Sequence, residues 1–264
     1  MNTTATDSAP ILSIENMAVH FGGLVAVSGL NFVVHEKKIV SLIGPNGAGK
    51  TTAFNVITGF LKPTEGTVRH RGTSLNGLRP NEIAERGVVR TFQKTSVFDG
   101  STVYDNVLTG LHLRGQSRSW EILLNLSRVR DEERGLREMA TEILDLVGLL
   151  GRRRELASDL PYGEQRLLEV AVALSAEPSL LLLDEPVSGM NPSETANFME
   201  FVSRIRDRGT TILLVEHDMR MVMGVSDRVI VLNQGTVIAE GTPTEIQHNP
   251  EVIRAYLGRG SADA

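Results

Sequence analysis

The segment Gly44-Pro45-Asn46-Gly47-Ala48-Gly49-Lys50-Thr51-Thr52 carries the first chemistry legible in this chain. It satisfies G-x-x-x-x-G-K-[ST] at every fixed position, between a short strand predicted over residues 38–43 and a helix predicted over residues 50–59. Glycines at 44, 47 and 49 let the backbone close around an anion, with successive N–H groups and a helix N-terminus aimed at phosphate oxygens. In such a cradle Lys50 reaches the β- and γ-phosphates of a nucleotide, and the Thr51 hydroxyl ligates Mg²⁺. A glycine-rich structural turn is the bland alternative, and the strand and helix flanking the loop in this order argue against it.

Phosphate chemistry also needs a carboxylate near the metal. Leu180-Leu181-Leu182-Leu183-Asp184-Glu185-Pro186 supplies two at the end of an apolar strand. Asp184 is expected to hold Mg²⁺ through its water shell, and Glu185 to act as general base towards an attacking water. The chain is leaving the sheet there, so adjacent acids can take different roles. By itself this segment reads equally well as a solvated turn after a buried strand; beside a phosphate loop the catalytic reading is the better one.

The elements that must position these groups read as a mostly parallel α/β sheet. Residues 11–21 and 25–34 look like two strands around the Gly22-Gly23 turn, a small antiparallel layer, and residues 66–75 like a further hairpin. Helix is expected over residues 81–87 and extended chain over 88–93. Residues 103–176 read as almost wholly helical. Strands return at residues 180–183, 211–215 and 229–232, separated by helices near 194–208 and 219–225, which is the alternation of a parallel sheet covered on both faces. Residues 235–239 add an edge strand, and residues 244–257 a final helix or pair of helices. The expected division is a tail at residues 1–10, one domain over 11–257 and a second tail at 258–264. Within the domain, residues 11–93 and 177–243 form the core, 94–176 a helical subdomain and 244–257 a helical end.

Composition fits a globular protein: 264 residues, 41% hydrophobic and 22% charged. A net charge of −5 disfavours a nucleic-acid duplex as partner. The chain has no cysteine, which excludes disulfides, thiolate metal sites and cysteine catalysis. The polar N-terminus lacks the pattern of a secretory signal, and apolar runs such as residues 180–183 are far shorter than the roughly 20 residues that span a bilayer. A membrane role is therefore expected to come through a partner. The Arg-rich stretch 114–137 contains Asp131, Glu132 and Glu133 and reads as a solvated helical face.

Between and after the two motifs the chain resembles the ATP-binding cassette (ABC) family over residues 11–257. Leu160-Pro161-Tyr162-Gly163-Glu164-Gln165 occupies the place of that family's Leu-Ser-Gly-Gly-Gln signature. The resemblance implies the ABC nucleotide-binding fold: a P-loop NTPase core, an antiparallel β subdomain and an inserted α-helical subdomain. It implies ATP and Mg²⁺ as cofactors and ATP hydrolysis as the activity. Residues 44–52 would hold the phosphates, and Pro161, Tyr162, Gly163 and Glu164 would close over the γ-phosphate of ATP held by a second subunit. Gln93 resembles the glutamine that senses Mg²⁺ and the attacking water, His217 the switch histidine and Phe21 the aromatic that stacks on adenine. Ser188-Gly189-Met190-Asn191 resembles the loop that crosses the dimer interface. Metal contacts would fall to Thr51, Gln93 and Asp184, and catalysis to Glu185, His217, Gln93 and Lys50.

Departures from the family pattern are informative. Pro161 replaces the signature serine and removes its hydroxyl, Tyr162 replaces a glycine, Glu164 replaces glutamine, Val172 stands where arginine is common and Asn191 replaces aspartate. They imply a weakened or asymmetric composite site. The signature tyrosine, Gly-Met-Asn-Pro after the acids, the helical segment of residues 113–137 and the ending at residues 249–258 resemble the ATP-binding subunits of branched-chain amino acid importers. The implied partners are a second ABC ATPase, identical or similar, transmembrane permease subunits and indirectly a solute-binding protein, with the chain peripheral on the cytoplasmic face of the inner membrane. The alternatives are a lipopolysaccharide-export-type ATPase, a soluble ABC ATPase and a regulatory module that closes on ATP without hydrolysing it.

Overall fold

The computed structural model describes residues 9–91, 97–112 and 127–257. The described residues fall into two compact units. One takes the chain through Arg90, then Ser179–Glu185 and the residues from Ile205 onward; the other takes the intervening segments, Thr91–Pro178 and Pro186–Arg204.

In the first unit, β1 (Pro10–Phe21) and β2 (Leu24–His35) form an antiparallel hairpin around Gly22-Gly23. Strand β4 (Glu65–His70) pairs with the other edge of β1, and β5 (Thr73–Ser74) pairs with β4. The second sheet contains β3 (Ile39–Ile43), β6 (Val88–Arg90), β7 (Leu180–Asp184), β8 (Thr211–Val215), β9 (Arg228–Asn233) and β10 (Thr236–Gly241), in the order β10-β9-β3-β8-β7-β6. All its pairings are parallel except β10 with β9. That exception follows from loop length: Gln234 and Gly235, both with positive φ, make a two-residue turn, which joins only antiparallel neighbours.

Every residue of β3, β7 and β8 is buried. Strands covered on both faces carry continuous apolar runs rather than alternation, which is why Leu180-Leu181-Leu182-Leu183 reads as it does. Helix α1 (Lys50–Ile57) buries Ala53, Phe54, Val56 and Ile57 in the same cluster as Val40, Leu42, Leu182 and Leu213. The shorter helices α2 (Pro80–Glu85), α7 (Met219–Val225), α8 (Pro243–Gln247) and α9 (Pro250–Leu257) complete this unit, except α6 below.

The second unit is helical. Helix α3 (Val103–His112) packs on both α4 (Ser127–Leu146) and α5 (Tyr162–Leu174). Helix α6 (Pro192–Asp207) starts here and runs into the first unit at Ile205. In the described part of the Arg-rich stretch, Arg134 pairs with Asp131 and Arg137 with Glu133 at 3.5 and 3.6 Å on an exposed face, which is the solvated arrangement its mixed charges suggest.

His70 closes β4 at 4% exposure, with Nε2 3.1 Å from the Ser179 hydroxyl. Burial pushes its pKa down to about 4, the Arg71 guanidinium adds to the shift, and Glu36 opposes it. The unfolded chain binds a proton near pH 6.5 that the folded chain refuses until about pH 4, so His70 contributes stability above pH 6.5 that is lost as pH falls through that window. A His70→Gln variant is expected to show a flatter fall in urea midpoint between pH 7 and pH 4.5 than the parent. Parallel pH profiles for the two proteins would remove His70 from this role.

Candidate nucleotide site

The glycines of the phosphate loop are imposed by neighbouring backbone. Gly44 has φ +151°, and a Cβ there would lie 2.1 Å from the Leu232 carbonyl oxygen of β9. Gly49 has φ +104°, and its Cβ would lie 2.9 Å from the Ala26 carbonyl oxygen of β2. Both sheets of the first unit therefore press on the loop. Gly49 also stands at the N-cap of α1 and supplies no side-chain cap bond, so the first-turn N–H groups remain for an external acceptor. On the other side, burial raises the pKa of the Tyr256 hydroxyl of α9, and the Gly44 N–H works against that rise.

Lys50 is 9% exposed and donates from Nζ to the Gly44 and Pro45 carbonyls at 2.6 and 3.2 Å. Burial lowers its pKa, and the carboxylates of Glu185 and Asp184 work against that shift. A desolvated ammonium with two carboxylates nearby is suited to receive a phosphate. Thr51, in the first turn of α1, is exposed.

At the end of β7 the two acids have different surroundings. Asp184 is 4% exposed; its Oδ2 lies 2.5 Å from Nη2 of Arg90, while its Oδ1 is buried with no hydrogen-bond partner among the described residues. Such an orphaned oxygen fits the water shell of a magnesium ion. Glu185 takes a left-handed conformation at φ +47°, which costs a non-glycine residue roughly 1 kcal/mol and turns the chain out of the sheet. Its N–H still donates to the Val215 carbonyl at 2.8 Å, tying the turn to β8.

His217 stands beyond β8, well exposed, with Nδ1 3.9 Å from Glu185 Oε2. It is placed by Glu216, whose buried carboxylate accepts the N–H groups of His217 and Asp218 at 2.8 and 3.1 Å. Asp218 in turn caps α7 by accepting from the Met221 N–H. The first unit thus gathers Lys50, Asp184, Glu185 and His217, and two residues not predicted from sequence, Arg90 and Glu216, hold them. The sequence signal for both is a charge that closes an apolar strand: Val88-Val89-Arg90 and Leu213-Leu214-Val215-Glu216.

Phe21, at the end of β1, is 51% exposed, so its ring is not committed to the core. Gln93 lies outside the described residues.

The signature segment belongs to the second unit, where Pro161 takes the N-cap position of α5 in extended conformation and, lacking a hydroxyl, makes no side-chain cap bond. The expectation that Tyr162 and Glu164 face nucleotide is met by side chains engaged within their own unit. The Tyr162 hydroxyl accepts from Arg166 Nε and donates to the Ser188 carbonyl, both at 3.0 Å, and Arg166 is bound to the buried Glu169 at 2.8 Å. Glu164 pairs with Arg152 at 2.6 Å. Gly163 packs against Glu194, and a Cβ there would approach that carboxyl to 3.0 Å. Asn191 caps α6, accepting from the Ser193 and Glu194 N–H groups at 2.9 and 3.0 Å while the Glu194 carboxylate accepts the Asn191 N–H. An asparagine does that capping as well as an aspartate.

Comparison with known proteins agrees with this geometry. Residues 27–188 match the family ABC transporter, and residues 236–262 match a family described as branched-chain amino acid ATP-binding cassette transporter. The chain is 47% identical to the high-affinity branched-chain amino acid transport ATP-binding protein LivG of Escherichia coli K12, covering 95% of this chain and 99% of that protein. It is 44% identical to BraF of Pseudomonas aeruginosa, described in the same terms, over the same shares. An ATP-binding cassette of an ABC transporter, solved in its ADP conformation, superposes with a TM-score of 0.83 at 31% identity, covering 95% of this chain and all of that one. The chain belongs to the ABC transporter family as one of its ATP-binding, ATP-hydrolysing cassettes.

Proposed function

We propose that this chain powers uptake of branched-chain amino acids, or of closely related small polar solutes, as the ATP-hydrolysing subunit of a membrane importer. The observation that carries the ATPase part is the gathering of Lys50, Asp184, Glu185 and His217 around one phosphate loop. The importer part is favoured over lipopolysaccharide export by the C-terminal segment, where residues 236–262 match a branched-chain amino acid transporter family. No helix among the described residues is long and apolar enough to cross a membrane, so the permease is a separate protein in this reading, and the chain sits peripherally at the cytoplasmic face of the inner membrane.

In this mechanism the loop 44–52 holds the triphosphate, and Lys50 leaves its carbonyl partners for the β- and γ-phosphates. Phe21 stacks on adenine. Magnesium, held through Thr51, the shell on Asp184 Oδ1 and Gln93, would supply charge neutralisation between the phosphates. Glu185 takes the proton of the attacking water, and His217 donates to the γ-phosphate.

A second cassette, identical or similar, completes each site. The backbone N–H groups that begin α5 at Tyr162, Gly163 and Glu164 face the nucleotide of that partner, because their side chains are engaged elsewhere. ATP must bind the closed pair better than the open one to drive closure, and hydrolysis releases it. Permease subunits meet the surface that includes Thr102 and Tyr104; these line an open depression with Thr141, Leu150, Arg153 and Arg154.

Two substitutions test this. Glu185→Gln is expected to lower ATP turnover by about a hundredfold or more while ATP still drives pairing of the cassettes; hydrolysis at the parental rate would remove Glu185 as the base. Pro161→Ser, which restores one hydroxyl at the cap of α5, is expected to raise turnover or tighten ATP-driven closure in the assembled complex. An unchanged rate and unchanged closure would show that the backbone alone suffices. Stimulation of the complex's ATPase by leucine, isoleucine or valine with a binding protein tests the solute.

A further inference from the structure

At the end of β7, Asp184 is buried against a cation from the neighbouring strand β6. Arg90 closes β6 with its side chain 8% exposed, against 4% for Asp184, and their Nη2 to Oδ2 separation is 2.5 Å. Arg90 also donates to Asn55 Oδ1 at 2.7 Å and lies over the Phe54 ring at 5.5 Å, both on α1, the helix that follows the phosphate loop. Its position is therefore set from two sides, and the guanidinium is fixed rather than swinging. Asp184 presents one oxygen to this cation, while the other, Oδ1, has no hydrogen-bond partner among the described residues. One carboxylate thus has two oxygens in different states: one is already compensated by the protein, and the other is buried and uncompensated, on a residue whose charge is felt by Lys50 of the phosphate loop.

We propose that Arg90 is a built-in counter-cation for Asp184: it keeps the metal-binding carboxylate oriented and tolerable in the core when no nucleotide is present, and it offsets that carboxylate's pull on magnesium. This rests on the reading of the site as a Mg²⁺-nucleotide site. The physical argument is charge balance in a desolvated place. A buried carboxylate alone would be costly and would attract a divalent cation strongly; a guanidinium bound to its other oxygen cancels much of that field. With that field offset, Asp184 would hold magnesium mainly together with the nucleotide and would not retain it as a bare buried acid.

The test is a double-mutant cycle read by nucleotide binding, not by turnover. The affinity of the full chain for ADP is measured with Mg²⁺ and with EDTA, and the ratio of the two gives the Mg²⁺ dependence. Charge cancellation predicts an order: Arg90→Met has the largest ratio, about tenfold or more above the parent. The parent and the Arg90→Met/Asp184→Asn double variant lie close together, and Asp184→Asn falls below both. Arg90→Lys, which keeps the charge, stays near the parent. If Arg90 served only packing, the parent and Arg90→Met would share one ratio, and the double variant would share the lower ratio of Asp184→Asn; that pattern overturns the proposal. If Arg90→Met does not fold, the double variant against Asp184→Asn decides, since cancellation requires the double variant to have the higher ratio. A Mg²⁺ dependence that no Asp184 substitution alters would overturn the Mg²⁺-site reading itself.

Discussion

Charge is buried at one edge of an otherwise apolar sheet, and the rest of the structure is arranged around making that tolerable. Strands β3, β7 and β8 are buried throughout, yet the chain around their ends carries Lys50, Asp184 and Glu216, each under a tenth exposed. A desolvated charge persists only with partners. Lys50 has the carbonyls of its own loop, Asp184 has Arg90, and Glu216 has the N–H groups of the turn it precedes. The parallel order of the strands is what puts these ends side by side, and a parallel sheet needs the helical crossovers that bury both its faces.

The same constraint explains the backbone. The chain must leave β7 without giving up its last pairing to β8, and it does so at Glu185, whose left-handed conformation is retained because the Val215 carbonyl holds its N–H. The phosphate loop is pressed between β2 and β9, so its two tightest positions can only be glycine. What is rigid there before a ligand arrives need not be ordered when it does.

The second unit solves a different problem with departures from the family pattern. A proline at the cap of α5 gives up a hydroxyl, and the tyrosine after it is engaged by Ser188 and by the Arg166–Glu169 pair. Within that unit the loop after the acids is thus tied to the start of the signature helix through one phenol. Asn191, where the family carries aspartate, remains a competent cap for α6. These substitutions change which atoms are offered at the unit's surface while its local framework is kept.

Much was legible in the sequence because the signals are local. A glycine loop between a strand and a helix, an apolar run ending in two acids and a tight turn at Gly22-Gly23 each follow from neighbouring residues, and so do the strand and helix periods around them. The order of the sheet was foreseen only as mostly parallel. The register of β3 between β8 and β9, and the placing of β6 beside β7, are pairings across long stretches of chain. Those pairings alone decide that Arg90 meets Asp184, that Glu216 turns inward beneath His217, and that Gly44 is pinned by Leu232. The sequence by itself determined which groups could bind phosphate and move a proton. The tertiary structure decided which charges compensate them, because compensation depends on distance and burial, and neither is a property of neighbours in the chain.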